Sequence, residues 1–161
     1  MDFDNRLQRA IERGQQIRDG KLRKRSEQQV SEEELKNLHS KCKLELSEHI
    51  ESCLRKLSDH FLGFQFQSIL AEDGWGAKVS RDDIGASTRR SRENYYSRLE
   101  MVIRPFSPSH IVELTAKATT RNKETFNRSH FQFLSQADLD SFCELIDLWV
   151  LEFAEQYSAR T

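Results

Sequence analysis

The sequence has few of the residues that interrupt or cross-link a chain. It contains 6 glycines, 2 prolines and 3 cysteines among 161 residues. Collagen-like and low-complexity proteins are excluded, because both are much richer in glycine or proline. No apolar run reaches the ~20 residues of a membrane-spanning helix. The polar start, Met1-Asp2-Phe3-Asp4, has no features of a signal peptide. We therefore expect a cytoplasmic protein without membrane association.

The motifs of common enzyme classes are also missing. There is no Gly-x-Ser-x-Gly nucleophile elbow and no glycine-rich phosphate loop. The carboxylate pairs Glu72-Asp73 and Asp82-Asp83 fall near predicted turns, where acidic residues are ordinary. Nothing in the sequence requires catalysis, although an enzyme with an unrecognised pocket stays open as an alternative.

Histidines and cysteines recur on one predicted helix. At 100° per residue, Cys42, His49, Cys53 and His60 fall within about 40° of one another. His49 and Cys53, four residues apart, are spaced to share a metal ion. One helix offers only two such ligands, and the others would have to come from His110, His130 or Cys143. The stripe also contains leucines, and the short paired spacings of structural zinc sites are absent. We therefore interpret the stripe as core and predict no metal and no cofactor.

Apolar residues at spacings of three and four predict three helices. The first covers residues 3–18, stops at Asp19-Gly20 and precedes a basic linker over 21–25. The second begins near Ser31, where Ser31 and Glu34 form a capping box, and lasts about thirty residues. The third opens at Ser135. We divide the chain into a helical arm with a basic linker, 1–30, and a single domain, 31–161.

Between the second and third helices the apolar period changes to two. Five alternating segments are separated by turn residues such as Asp73-Gly74 and Arg121-Asn122-Lys123. Sequential strands joined by turns predict an antiparallel five-stranded meander packed by helices, which is an α+β fold. A polar connection over residues 81–92, with almost no apolar anchor, is predicted to be mobile.

The helices carry more apolar residues than one sheet face can cover. In the last helix one stripe is sufficient to pack on the sheet, and three leucines point elsewhere. The first helix is marginal alone and needs a partner surface. Because a large exposed apolar patch is unusual in a monomer, we predict a homodimer or a protein partner bound through the helices. The candidate interface residues are Leu7, Ile11, Leu145, Leu148 and Leu151.

Charge is segregated along the chain. Residues 74–133 hold 11 basic and 6 acidic residues, whereas residues 134–161 hold 1 basic and 6 acidic residues. Basic strands complement acidic helices in the same molecule, but an open basic sheet also suits an anion or a single-stranded nucleic acid. On this alternative, Tyr96 and Phe126 share the outward face with the basic strand residues. The candidate anion ligands are Arg81, Arg89, Arg90, Arg92, Arg98, Arg104, Lys117 and Arg128.

The sequence thus favours a non-catalytic module that binds a protein or itself, in a process that it does not identify. The alternative is a module that binds an anionic ligand or nucleic acid through the sheet face and the 81–92 connection.

Overall fold

The structure is a computed structural model that describes residues 2–24, 28–84 and 94–160, without the side chains of residues 20–31, 84 and 94. It divides into two units, residues 1–37 and residues 38–161. The elements are α1 (Asp2–Lys24), α2 (Gln28–His60), β1 (Gln65–Ala71), β2 (Gly74–Ile84), β3 (Asn94–Ile103), β4 (Ile111–Thr120), β5 (Lys123–Phe133), a 3-10 turn (Leu134–Gln136) and α3 (Leu139–Arg160).

The α+β fold with an antiparallel meander is confirmed. The strands lie in the order β1-β2-β3-β4-β5, and each neighbouring pair is antiparallel. At the β4–β5 hairpin, Arg121 and Asn122 both have positive φ, which is the backbone of a tight primed turn. Gly63, with φ of 98°, makes the turn that leads from α2 to β1.

The core of the second unit lies between one sheet face and two helices. Alternate strand residues such as Val79, Leu99, Met101 and Leu114 are buried on this inner face. The part of α2 from residue 38 onward contributes Leu46, Ile50 and Leu54, all fully buried. The buried residues of α3 are Phe142, Ile146, Trp149, Val150, Phe153 and Tyr157. This stripe of α3 matches the one predicted to cover the sheet.

The two helices run side by side in the same direction. Near their middle, His49 of α2 meets Asp147 of α3. Further along, Phe61 after the end of α2 packs edge-on against Tyr157. Because both contacts advance along the two helices together, α2 and α3 are parallel. In this arrangement Asp147 of α3 contacts both His49 and Cys53 of α2.

The first helix is longer than predicted. It continues through Asp19-Gly20 to Lys24, so the backbone of most of the expected basic linker is helical. Lysine, leucine and arginine are good helix formers, and a single interior glycine costs only about 1 kcal/mol. One glycine is therefore insufficient to end this helix.

Two expectations for the sheet were wrong. Arg81 belongs to β2 and not to a loop, because β2 extends to Ile84. Arg128 was expected on the outward face together with Phe126. In the structure Arg128 pairs with Ala116 and Phe126 pairs with Ala118. Both alanines are buried on the inner face, and paired residues point to the same face, so Arg128 and Phe126 are on the inner face. The register of β4 and β5 shifts between Ala118 and Thr119, an irregularity that simple alternation does not predict.

Candidate functional site

A groove follows the junction of α2 and α3 on the side away from the sheet. Its volume is about 650 Å³. Leu57 and Phe61 line one wall, and Val150, Leu151 and Ala154 line the other. The groove is mainly apolar, with Cys53 and Asp147 at the polar part of its lining. It is an open surface feature of the helix pair.

A cluster of three polar side chains joins the two helices at this groove. The imidazole Nε2 of His49 lies 2.8 Å from Oδ1 of Asp147. The Sγ of Cys53 lies 3.3 Å from the same oxygen, to which the thiol donates, and 3.6 Å from Nε2 of His49. His49 and Cys53 are half-buried, and Asp147 is exposed. The cluster is therefore accessible from solvent.

A second sulfur, that of Cys143, lies near the cluster. Cys143 precedes Asp147 by one turn of α3 and is half-buried. Burial raises the pKa of the Cys143 thiol, and the charge of Asp147 raises it further. Burial, the hydrogen bond to Asp147 and the charge of that carboxylate raise the pKa of Cys53 to about 12. The Cys53 thiol therefore keeps its proton at neutral pH, although the charge of Lys56 opposes the rise in its pKa.

The histidine and cysteine stripe of α2 is not continuous core. Cys42 is buried as expected, but His49 and Cys53 lie at the edge that faces α3, and His60 is exposed. His110 and His130, which were weighed as further ligands, are not in the cluster. Asp147 was not among the residues predicted from the sequence. The signal for it was the second pair at a spacing of four, Cys143 and Asp147, on another predicted helix.

The surplus leucines of α3 point away from the core. Leu148 and Leu151 are 59% and 65% exposed, and Leu145 is half-buried. In α1, every residue from Asp2 to Asp19 is exposed, including Leu7 and Ile11 at 47% each. Phe3 and Ile17 are exposed on the same helix. Each unit thus presents apolar side chains to solvent.

The arginines predicted to bind anions have carboxylate partners wherever the structure describes them. Arg98 pairs with Glu100 at 2.6 Å, and Arg104 approaches Glu113 at 4.0 Å. Within β2, Arg81 pairs with Asp83 at 2.6 Å.

Arg128 crosses from the inner face of β5 to α3. It donates two hydrogen bonds to Glu152, one of them 2.9 Å long. Arg89, Arg90 and Arg92 lie outside the described residues, as does most of the connection predicted to be mobile.

The outward face of the sheet has a shallow depression of about 420 Å³. Arg104 and Lys117 line it together with Asp73 and Glu100. The depression therefore mixes both signs of charge, and it does not concentrate the positive potential that a polyanion requires.

Comparison with family models, with curated proteins and with solved structures finds no match to this chain. Among the described residues, no helix is long and apolar enough to cross a membrane. The three cysteines are free thiols.

Proposed function

We propose that the protein is a non-catalytic cytoplasmic module that self-associates through its helices. One observation carries this proposal: every residue of α1 from Asp2 to Asp19 is exposed, and the helix presents a stripe of apolar residues. The stripe recurs at alternating spacings of four and three, as in helices that pack on another helix. Its members are Phe3, Leu7, Ala10, Gly14 and Ile17, and Ile11 lies beside Leu7 and Gly14 on the same face. A helix of this kind is marginal in water until its stripe is covered.

The partner surface on a second copy is the outer side of α3. This surface presents Leu148 and Leu151, and residues 134–161 contain 1 basic and 6 acidic residues. The first helix has the opposite charge, because residues 2–24 contain 7 basic and 4 acidic residues. Charge complementarity favours α1 of one copy against α3 of another. A two-fold axis would repeat this contact reciprocally and close the dimer.

The free energy that Leu7 and Ile11 contribute to association can be calculated from their exposed fractions. Complete burial of a leucine or isoleucine contributes about 1.5–3 kcal/mol. Leu7 and Ile11 still have 47% to bury, so each contributes about 1 kcal/mol on association. Two copies contribute four such side chains, about 4 kcal/mol in total. Replacing Leu7 and Ile11 with glutamate should therefore weaken the dimer about a thousandfold.

Light scattering at several concentrations tests the proposal. We expect the wild-type mass to approach twice 18.9 kDa, and the Leu7→Glu plus Ile11→Glu variant to stay monomeric. The matched control is Asn5→Glu plus Gln16→Glu, which adds the same charge to the opposite face of α1 and should still dimerise. A wild-type mass of 18.9 kDa at every concentration would refute self-association.

A mixing experiment tests the pairing of α1 with α3. Leu148→Glu plus Leu151→Glu should also give a monomer, because these two leucines form the α3 side of the contact with α1. Mixing this variant with the α1 variant leaves one intact contact between α1 of one chain and α3 of the other. We expect the mixture to form heterodimers, weaker than the wild-type dimer. An α3 variant that dimerises like the wild type would show that α1 pairs elsewhere.

The anion-binding alternative has less support. Its described arginines are paired with carboxylates, and the depression on the outward face mixes charges. A salt series with single-stranded nucleic acid tests it, because phosphate contacts produce a steep dependence on salt. Replacing Arg89, Arg90 and Arg92 with alanine should flatten that dependence if the 81–92 connection takes part.

A further inference from the structure

The cluster of His49, Cys53 and Asp147 has dimensions close to those of a tetrahedral zinc site. Zinc bonds of about 2.3 Å to sulfur and about 2.0–2.2 Å to nitrogen or oxygen place the sulfur about 3.6 Å from each lighter ligand atom. The observed distances from Sγ are 3.6 Å to Nε2 and 3.3 Å to Oδ1. Nitrogen and oxygen would lie about 3.4 Å apart, against the observed 2.8 Å. The His49 nitrogen and the Asp147 oxygen would have to move about 0.6 Å further apart to admit the ion.

The candidate ligands lie on two parallel helices. His49 and Cys53 are four residues apart on α2, and Cys143 and Asp147 are four residues apart on α3. Residues at this spacing lie on the same helix face, one turn apart. Three donors, from His49, Cys53 and Asp147, thus converge from the two helices. Cys143 lies one turn before Asp147 and outside this group of three, so its side chain would have to turn toward the ion to supply a fourth ligand.

We propose that His49, Cys53, Asp147 and Cys143 bind a Zn²⁺ ion that links α2 to α3. Two sulfurs, an imidazole nitrogen and a carboxylate oxygen are zinc ligands, whereas Mg²⁺ and Ca²⁺ prefer oxygen alone. This site replaces the sequence-based expectation of no metal, which rested on α2 offering two ligands by itself. None of these ligands is one of the leucines of the proposed self-association, although Leu151 lines the same groove.

Binding would exchange protons for the ion. The Cys53 thiol now donates its hydrogen to Asp147, and zinc takes the thiolate, so that proton is released to solvent. The Cys143 thiol loses its proton in the same way. His49 coordinates through Nε2 as a neutral imidazole with its hydrogen on Nδ1. The Asp147 carboxylate, which no longer accepts the hydrogen bonds, bonds to the ion. No oxidation or reduction takes place.

Titration of the reduced, metal-free full-length protein with Co²⁺ is the direct test. Co²⁺ at this site should show the intense visible bands of a tetrahedral ion and a near-ultraviolet band from thiolate charge transfer. One equivalent should saturate both, and Zn²⁺ should remove them. A wild-type protein that shows neither band would overturn the proposal without any variant.

Substitution of single ligands tests which residues bind the ion. Cys53→Ala and Asp147→Asn should each lower Zn²⁺ affinity by at least about 100-fold, since loss of a group that merely supports a ligand already costs 10- to 100-fold. The matched controls are Cys42→Ala and His60→Ala, on the same helix and outside the cluster. These controls should bind as the wild type does. Equal binding by the Cys53→Ala protein would overturn the site.

The fourth ligand has its own test. Cys143→Ala should keep a tetrahedral Co²⁺ spectrum but lose about half of the thiolate charge-transfer intensity, since one of two sulfurs remains. Unchanged intensity would remove Cys143 from the site. Far-ultraviolet circular dichroism of each variant checks that the fold is retained. Zn²⁺ should also raise the melting temperature of the wild type and of Cys42→Ala but not of Cys53→Ala, because the ion binds the folded protein alone.

Discussion

Acidification should destabilise the second unit through His39. This residue of α2 is 2% exposed. Its Nε2 lies 3.1 Å from the carbonyl oxygen of Arg104, and its ring meets Phe106 edge-on at 5.7 Å. Burial lowers the pKa of the imidazole; the hydrogen bond to Arg104 opposes this, and the charge of Lys43 adds to the lowering. The folded protein therefore holds His39 neutral at pH values where the unfolded chain begins to protonate it.

The sign and the size follow from linkage. With a pKa below its ordinary value of 6.5 in the fold, His39 binds fewer protons in the folded protein than in the unfolded chain. Its stabilising effect is therefore present above pH 6.5 and is lost as the pH falls toward the lowered pKa. If the imidazole stays neutral, the free energy of unfolding falls by at most about 1.4 kcal/mol between pH 7.5 and pH 5.5. Urea melts at a series of pH values measure this loss.

A variant that keeps the hydrogen bond but does not titrate isolates the effect. In His39→Gln the side-chain amide can still donate to the Arg104 carbonyl, so we expect a flatter pH dependence than in the wild type. His60→Gln, at an exposed position of the same helix, is the matched control and should keep the wild-type slope. Equal slopes for the wild type and His39→Gln would refute the assignment of the pH dependence to His39.

Two further predictions concern the sheet. The hydrogen bonds from Arg128 hold the pKa of Glu152 below its ordinary value, so their stabilising effect is present above about pH 4.5 and is lost as the pH falls. Because both side chains are partly exposed, we expect Arg128→Gln to cost at most about 1 kcal/mol in urea melts at pH 7, and a larger loss would contradict a surface pair. In β2, a Cβ at Gly76 would lie 1.9 Å from the Met101 carbonyl oxygen, so Gly76→Ala should destabilise the sheet by about 2 kcal/mol or more. A Cβ at Gly14 in α1 would meet nothing within 4 Å. Gly14→Ala should therefore stabilise the helix by about 1 kcal/mol, which circular dichroism would detect as increased helicity.

The meander was predictable because local pattern and packing agree along most of it. In β3, Ser97, Leu99, Met101 and Ile103 are all buried and alternate with Arg98, Glu100 and the half-buried Val102. In β5 the local pattern and the packing disagree. Phe131 and Phe133 are apolar yet about half exposed, whereas Arg128 takes an inward position because Glu152 neutralises it there. Alternation counted from Phe131 and Phe133 as inward residues would therefore put Phe126 and Arg128 on the wrong face of β5.

The site was harder to predict than the fold because it depends on a contact between distant residues. His49 and Asp147 are 98 residues apart, and each helix by itself supplies only two ligands. Their meeting depends on the direction and register of α2 relative to α3, which a single sequence does not encode in any local pattern. The exposed positions of Leu148 and Leu151, by contrast, follow from helical periodicity within α3 alone.

Hydrogen exchange of α1 tests the central claim, that its apolar stripe is covered by a second copy. Backbone amides of residues 2–19 should exchange quickly at low protein concentration and should become protected as concentration rises, because association covers and stabilises this marginal helix. The Leu7→Glu plus Ile11→Glu variant should stay unprotected throughout. Exchange in the wild type that is equally fast at every concentration, or equally slow at every concentration while the mass stays at 18.9 kDa, would contradict the account.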